Sequence, residues 1–406
     1  MARVFSLPTV LRQVPKPLLG RFFEKLGVAF PEVDWATLGE RDVQPILGVL
    51  HGLTGSAMVP VENELRTVYE MACDGGINAL IETAAALGDH TLAERMPQDQ
   101  TAYGRAMWVW LHHADYFAQA GLLFQVEHLA WWRKRNDLPR VSPRTKPDDL
   151  DVLKRGISQL LLTEQGRGRL CSVEVLERGR TVYFFVYPDD FVQSVQAHDD
   201  EGKLAPRAFR RTFHIVFAYG SDEGTLELFA KVPGKLKPKL EELFARHVLD
   251  AELAAWQPPA AFALNHLRLR ATRLPVDPAD GVTVAIRRLR FEVPGTKRRL
   301  ELEADPEGGP RDIHVMIDEY LDRDHLRVED LRVKAATLVF TFADLGGRKP
   351  GTVSVDVGYP STCNLRNQRP ERVEIIQKYL LQWGIDVRPG DSRPAAPRRH
   401  GAAAVA

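Results

Sequence analysis

FHIVFAYGSDEGTLELFA, residues 213–230, reads as two β-rich runs joined by a polar turn. Phe213 to Tyr219 and Thr225 to Ala230 are rich in β-branched and aromatic residues, which fit a pleated, half-buried surface. Ser221, Asp222, Glu223 and Gly224 between them are turn formers, so the segment predicts an antiparallel hairpin. Leu240, Leu243, Phe244 and Val248 follow at helical spacing and predict one amphipathic helix.

The same order recurs twice downstream. Val282 to Val293 and Arg299 to Ala304 flank Pro294 and Gly295, and a helix follows through Ile313, Met316, Ile317, Tyr320 and Leu321. Ala336 to Phe342 and Thr352 to Gly358 flank Gly346 and Gly347, and a helix through Val373, Ile376, Tyr379 and Leu380 stops at Gly384. The pattern is a degenerate strand-strand-helix repeat, expected to lay its helices on one face of a continuous antiparallel sheet. A further pair of β-rich runs lies between Leu170 and Tyr187, around Arg178 and Gly179.

Upstream the period changes. From about Leu18 to Lys134 apolar residues fall at helical spacing. Leu18, Leu19, Phe22, Phe23 and Leu26 form one face between Pro17 and Gly27; Glu62 to Cys73 and a stretch through Ile77, Leu80, Ile81 and Ala84 continue it. Residues 102–135 are the richest in aromatics and read as two helices, with Arg133, Lys134 and Arg135 closing the second at the negative end of its dipole. Pro139, Pro143 and Pro147 mark a linker, and a helix runs from Asp148 to about Leu162. The predicted fold class is α+β: an N-terminal all-helical domain over 1–136, a Pro-marked linker and connecting helix over 137–165, a mostly antiparallel sheet domain over 166–387, and a disordered tail over 388–406.

Composition narrows the functional classes. Hydrophobic residues make up 44% and charged residues 27% of 406, a globular balance with a core to bury. Fifty-four cations meet 54 anions, so no global field draws the chain to nucleic acid or membrane. Arg outnumbers Lys 40 to 14, which with abundant Ala, Gly and Pro points to GC-rich bacterial coding. Cys73, Cys171 and Cys363 are too far apart for a disulfide framework or paired metal ligands and fit a reducing cytoplasm. No apolar run reaches the length of a membrane span, and prolines interrupt the N-terminus where a signal sequence would need its apolar stretch.

No catalytic pattern emerges. His112, His113, Asp115, Glu127 and His128 lie close in sequence, but no two histidines stand four apart on a helix, as a shared metal would require. Asp199, Asp200, Glu201 and Lys203 surround Gly202 and read as a solvated turn. Cys363 sits in a capping stretch with no histidine nearby. No cofactor or metal is predicted. The signal above background is local charge: over 262–299 nine cations face three acids, and over 203–240 eight face three. Arginines alternate with apolar residues along Leu267 to Ala271, which reads as a strand, whereas Val282 to Phe291 offers no cleanly basic face.

Arg268, Arg270, Arg287, Arg298 and Arg299 are therefore the candidates for an anion- or nucleic-acid-binding surface. The expected function is that of a non-catalytic binding or accessory protein of a bacterial cytoplasm, contacting nucleic acid or a partner protein through its C-terminal domain. The alternatives are a hydrolase or nuclease whose site assembles only in three dimensions, and a structural subunit of a larger assembly.

Overall fold

The computed structural model describes residues 4–199, 201–253, 260–304, 312–321, 327–344, 350–365 and 370–387. The predicted tail over 388–406, the Gly346–Gly347 turn and Asp200 lie outside the described residues. The fold is α+β, with its helices concentrated towards the N-terminus and a large antiparallel sheet in the C-terminal part.

Eight helices come first: α1 (Leu7–Gln13), α2 (Lys16–Lys25), α3 (Gln44–His51), α4 (Gly55–Met71), α5 (Asp74–Ala86), α6 (Leu92–Arg95), α7 (Ala102–His112) and α8 (Ala114–Glu127). Their starts follow ordinary capping chemistry. The Thr54 and Thr101 hydroxyls accept from the backbone N–H groups of Ala57 and Gly104, satisfying donors that the first turn leaves free. The apolar faces read from sequence meet in one core that holds Leu19, Phe22, Phe23, Leu65, Val68, Leu80 and Met107. Phe22 packs on Trp110 at 4.9 Å between ring centroids, and Phe23 on Phe30 at 4.5 Å.

After α8 the chain departs from the sequence expectation. Trp132–Arg135 is not the end of a helix but a strand, β1, entered through Trp131 in a left-handed conformation, φ 68°. β1 pairs antiparallel with one strand on each side and is the middle of the sheet. Its three cations are neutralised by Asp137, just beyond the strand, and by acids remote in sequence. Arg135 donates to Asp137 at 2.9 and 2.7 Å and to Glu241 at 3.2 Å, and Lys134 donates to Asp386 at 2.5 Å. Periodicity sees only a basic run at a helix end; partners 106 and 252 positions away make it a buried strand.

The sheet continues with α9 (Pro147–Gln165), β2 (Cys171–Arg178), β3 (Thr181–His198), β4 (Leu204–Thr212), β5 (Ile215–Gly220), β6 (Thr225–Ala230) and α10 (Lys237–Val248). Then come β7 (Val282–Glu292), β8 (Arg299–Glu303), α11 (Ile313–Tyr320), β9 (Arg332–Phe342), β10 (Gly351–Gly358), β11 (Thr362–Cys363) and α12 (Pro370–Gln382). The three strand-strand-helix units read from sequence are thus present as elements. Strand order is β2-β3-β5-β6-β1-β11-β10-β9-β7-β8, with β4 attached to β3 alone. Two four-stranded halves are bridged by the short strands β1 and β11. The β5–β6 turn packs on the segment after β1: Leu138 donates to the Gly224 carbonyl at 3.1 Å, and a Cβ on Gly224 would lie 2.3 Å from the Leu138 oxygen.

Register shows which face each helix covers, and the single-face expectation is corrected. Across β1, Arg133 opposes Leu228 of β6 and Thr362 of β11, so these side chains share a face. On that face of the first half, Phe184, Phe217 and Leu228 bury against α9 and α10. Phe244 of α10 stacks on Phe217 at 4.8 Å and meets Phe184 edge-on at 5.1 Å. On the opposite face, Trp132, Tyr183, Phe185 and Val216 pack against Leu123 and Val126 of α8, and this same face buries Val355, Val357, Ile376 and Leu380 in the second half. The helices of the first unit and of the other two therefore lie on opposite sides of one sheet. A four-residue strand carries the switch, because it lets each half bury its own face.

Strict alternation also misreads β7. Ile286 pairs with Leu338 and Arg288 with Thr337, so Arg287 is an extra residue, a β-bulge. The bulge restores the parity: Val282 and Ile286 before it and Leu289 and Phe291 after it are all buried. Arg288 and Arg290 go to the open face. There Arg288 donates to Thr337 and to Asp356, each at 3.1 Å, and Thr337 donates to Asp356 at 2.6 Å.

Candidate interaction surface

β3 is 18 residues long, and its second part leaves the sheet. Up to Val186 it pairs with β5; from Asp189 onwards its partner is β4, which has no other neighbour. Residues 189–212 thus form a two-stranded ribbon. The departure is built from an irregularity in register between Asp189 and Val192, which bends the strand.

The base of the ribbon is fixed by charge. Asp189 is buried; it accepts from the Leu170 N–H at 3.0 Å and from Arg210 at 3.0 Å. Arg167, following the left-handed Gly166 that ends α9, donates to Asp190 at 2.6 Å and to Gln165 at 3.2 and 3.1 Å. Its guanidinium also lies 4.0 Å over the Phe213 ring, a desolvated cation–π contact. Burial pulls the Asp190 carboxyl upward, but the Arg167 hydrogen bond and the Phe191 N–H prevail and hold it below the usual carboxylate range.

Beyond that base the blade is open to solvent. Phe191 is 53% exposed, Val192 56%, Val195 43% and Leu204 57%. Pairing of Gln193 with Phe209 and Val195 with Arg207 puts Arg207, Phe209 and, two residues on, Arg211 on one face. Arg211 stands 5.0 Å over the Phe209 ring. Among the described residues neither Arg207 nor Arg211 has a carboxylate within ion-pairing reach. The tip is the turn read from sequence: Asp199 accepts from the Lys203 N–H at 2.7 Å, and Gly202 takes a φ of 81°. Pro206 removes one donor from β4, as edge strands commonly do. The ribbon is not among the elements expected from sequence, although period-2 runs around a Gly202 turn signal it.

The five arginines singled out in the sequence do not converge. Leu267 to Ala271 is not a strand. Asn265–Arg268 forms a 3-10 turn in which Leu267 is the buried anchor and the Asn265 side chain accepts from the Val333 N–H at 3.0 Å. Arg268 donates to the Glu329 carbonyl at 2.9 Å, and Arg270 pairs with Asp318 of α11 at 2.6 Å. Arg287, in the β7 bulge, meets Glu303 at 2.9 Å. Arg299 opposes Glu292 in the β7–β8 ladder, and Arg298 is in the loop before it. Arg268 and Arg270 share a cleft; the others lie along β7 and β8.

The remaining candidates occupy structural positions. His112 and His128 each hold a backbone carbonyl at 2.7 Å, and His113 stacks on Tyr116 at 5.1 Å. Burial pushes the thiols of Cys171 and Cys363 up, to about 11 and about 12, away from thiolate chemistry at neutral pH. Among the described residues no three His, Cys, Asp or Glu side chains gather as a metal set, and no described helix is long and apolar enough to cross a membrane. Comparison with protein-family models and with curated proteins finds no match to this chain.

Proposed function

We propose that this chain is a non-catalytic binding protein whose C-terminal half engages a partner protein through the β3–β4 ribbon. The observation that carries the reading is the ribbon itself, a two-stranded blade with four large apolar residues exposed on it. An isolated hairpin is marginal in water, and burying such residues against a partner supplies what the fold leaves out. Exposed aliphatic and aromatic side chains beside Arg207 and Arg211 match the composition of protein interfaces. The anchored base would limit the ordering cost on binding. Three free cysteines accord with the reducing bacterial cytoplasm expected from sequence.

A second reading, binding to nucleic acid, is favoured by Arg207 and Arg211 on one face, since a two-stranded ribbon fits the major groove. Asp199 and Glu201 at the tip weigh against it, because they would meet phosphate first.

The test compares the tagged chain with a Val192→Ser, Val195→Ser, Leu204→Ser variant. These residues are exposed, so stability should change little, while the partner that co-purifies with the native chain and rebinds it after separate purification should be lost. An unchanged set of bound proteins would remove the ribbon from the function. Fluorescence anisotropy with a short duplex at about 50 and 200 mM salt decides the second reading, since phosphate contacts weaken by orders of magnitude over that range.

A further inference from the structure

We propose that the cleft between α11 and the 3-10 turn ending at Arg268 binds a small ligand that joins an oxyanionic head, carboxylate or phosphate, to a short apolar body. The inference stands apart from the ribbon and does not depend on it. The cleft encloses about 380 Å³, within the range of small-molecule sites. Ile317, Leu321 and Val328 give it an apolar lining, and Arg268, Arg270 and Arg327 line it as well.

The three arginines differ in what already holds them. Arg270 pairs with Asp318, and Arg327 donates to Asp330 at 3.0 and 3.4 Å, but in both pairs the arginine is more than half exposed, where ion pairs contribute little and an incoming anion competes well. Arg268 is different. Among the described residues it reaches only a carbonyl, that of Glu329, and its Nε is buried without a hydrogen-bond partner. Burial also lowers its pKa, more than Glu329 and Asp330 raise it, as expected of a partly desolvated cation. A guanidinium in that state is a ready partner for an oxyanion, to which its planar donors are matched.

The back wall is braced. His314 sets Nε2 3.0 Å from the Leu267 carbonyl and Nδ1 3.1 Å from Asp312, tying the start of α11 to the turn that carries Arg268. The acids limit the class of ligand. Asp318 and Glu329 line the same cleft, so a polyanion such as a nucleic-acid backbone meets repulsion, whereas one head seated among the three guanidiniums with its body on Ile317 and Leu321 does not.

The probes are hexyl phosphate and heptanoate, with inorganic phosphate and hexanol as the separate halves. Titration calorimetry and thermal melting of the full chain should show saturable binding of at least one joined probe and a raised Tm, with each half binding at least tenfold more weakly. Which joined probe binds tighter distinguishes phosphate from carboxylate. Arg268→Gln and Arg327→Gln should each weaken it by about tenfold, the loss of one charge-assisted hydrogen bond, while Arg268→Lys retains part. Should Arg268→Gln fail to fold, Arg327→Gln decides alone, because that side chain is exposed. No saturable binding of either joined probe, or binding that Arg327→Gln leaves unchanged, overturns the proposal.

Discussion

Arg167 donates to the Asp190 carboxylate at 2.6 Å at the point where β3 stops being part of the sheet and becomes a free ribbon. The pair binds the end of α9 to the base of the blade, and the same guanidinium covers Phe213. Arg167→Ala should therefore loosen the ribbon more than the body. A cost of about 2 kcal/mol is expected from a lost charge-assisted hydrogen bond and lost stacking. Hydrogen exchange should accelerate across 191–211 while β5 and β6 stay protected; uniform acceleration across the sheet would refute a local role.

The same contact makes the ribbon sensitive to acid. Asp190 is held below its ordinary value, near 3.8, so the unfolded chain takes up the proton more readily than the folded one. Stability from this group is present above about 3.8 and is lost as the pH falls through the lower folded value. Exchange in 191–211, corrected for intrinsic rates, should rise below that point in the native chain. It should be high and flat with pH in Asp190→Asn. The same acid response in both would assign it to another carboxylate.

Glu241 of α10 is fully buried against β1, 2.7 Å from Arg133 and 3.2 Å from Arg135. The Arg133 contact is close but lacks hydrogen-bond alignment. Burial pushes the carboxyl up against the pull of the two guanidiniums. Glu241→Gln leaves those cations facing a neutral amide, and about 3 kcal/mol should be lost in urea unfolding. A loss under about 1 kcal/mol would mean that water already screens the group.

The β7 bulge allows a sharp contrast. Arg287→Ala removes only an exposed pair with Glu303 and should cost less than about 1 kcal/mol. Inserting one alanine between Val284 and Ala285, in the regular stretch before the bulge, shifts parity, so that Val282 cannot face the core together with Ile286, Leu289 and Phe291. About 3 kcal/mol or more should go, the scale of emptying large core positions. Equal melting curves for the two variants would show that the strand tolerates either register.

The helical apolar faces of the N-terminal part, the β2–β3 hairpin and the three strand-strand-helix units were legible in the sequence, because each is written in local periodicity and in nearby turn and cap residues. Leu19, Phe22 and Phe23 lie on one helical face whatever surrounds them, and Gly224 turns the chain between β5 and β6 by its own conformational freedom. What only the tertiary structure decided is where charge is cancelled and which face is covered. Arg133, Lys134 and Arg135 read as a solvated helix end until Glu241, Asp137 and Asp386 arrive around them, and the arginines at 270 and 287 read as a basic surface until Asp318 and Glu303 meet them. The opposed helices follow from the register of a four-residue strand with neighbours far along the chain. Local propensity involves a few residues at a time, whereas burial, ion pairing and register depend on contacts between segments whose separation in sequence carries no trace of their meeting.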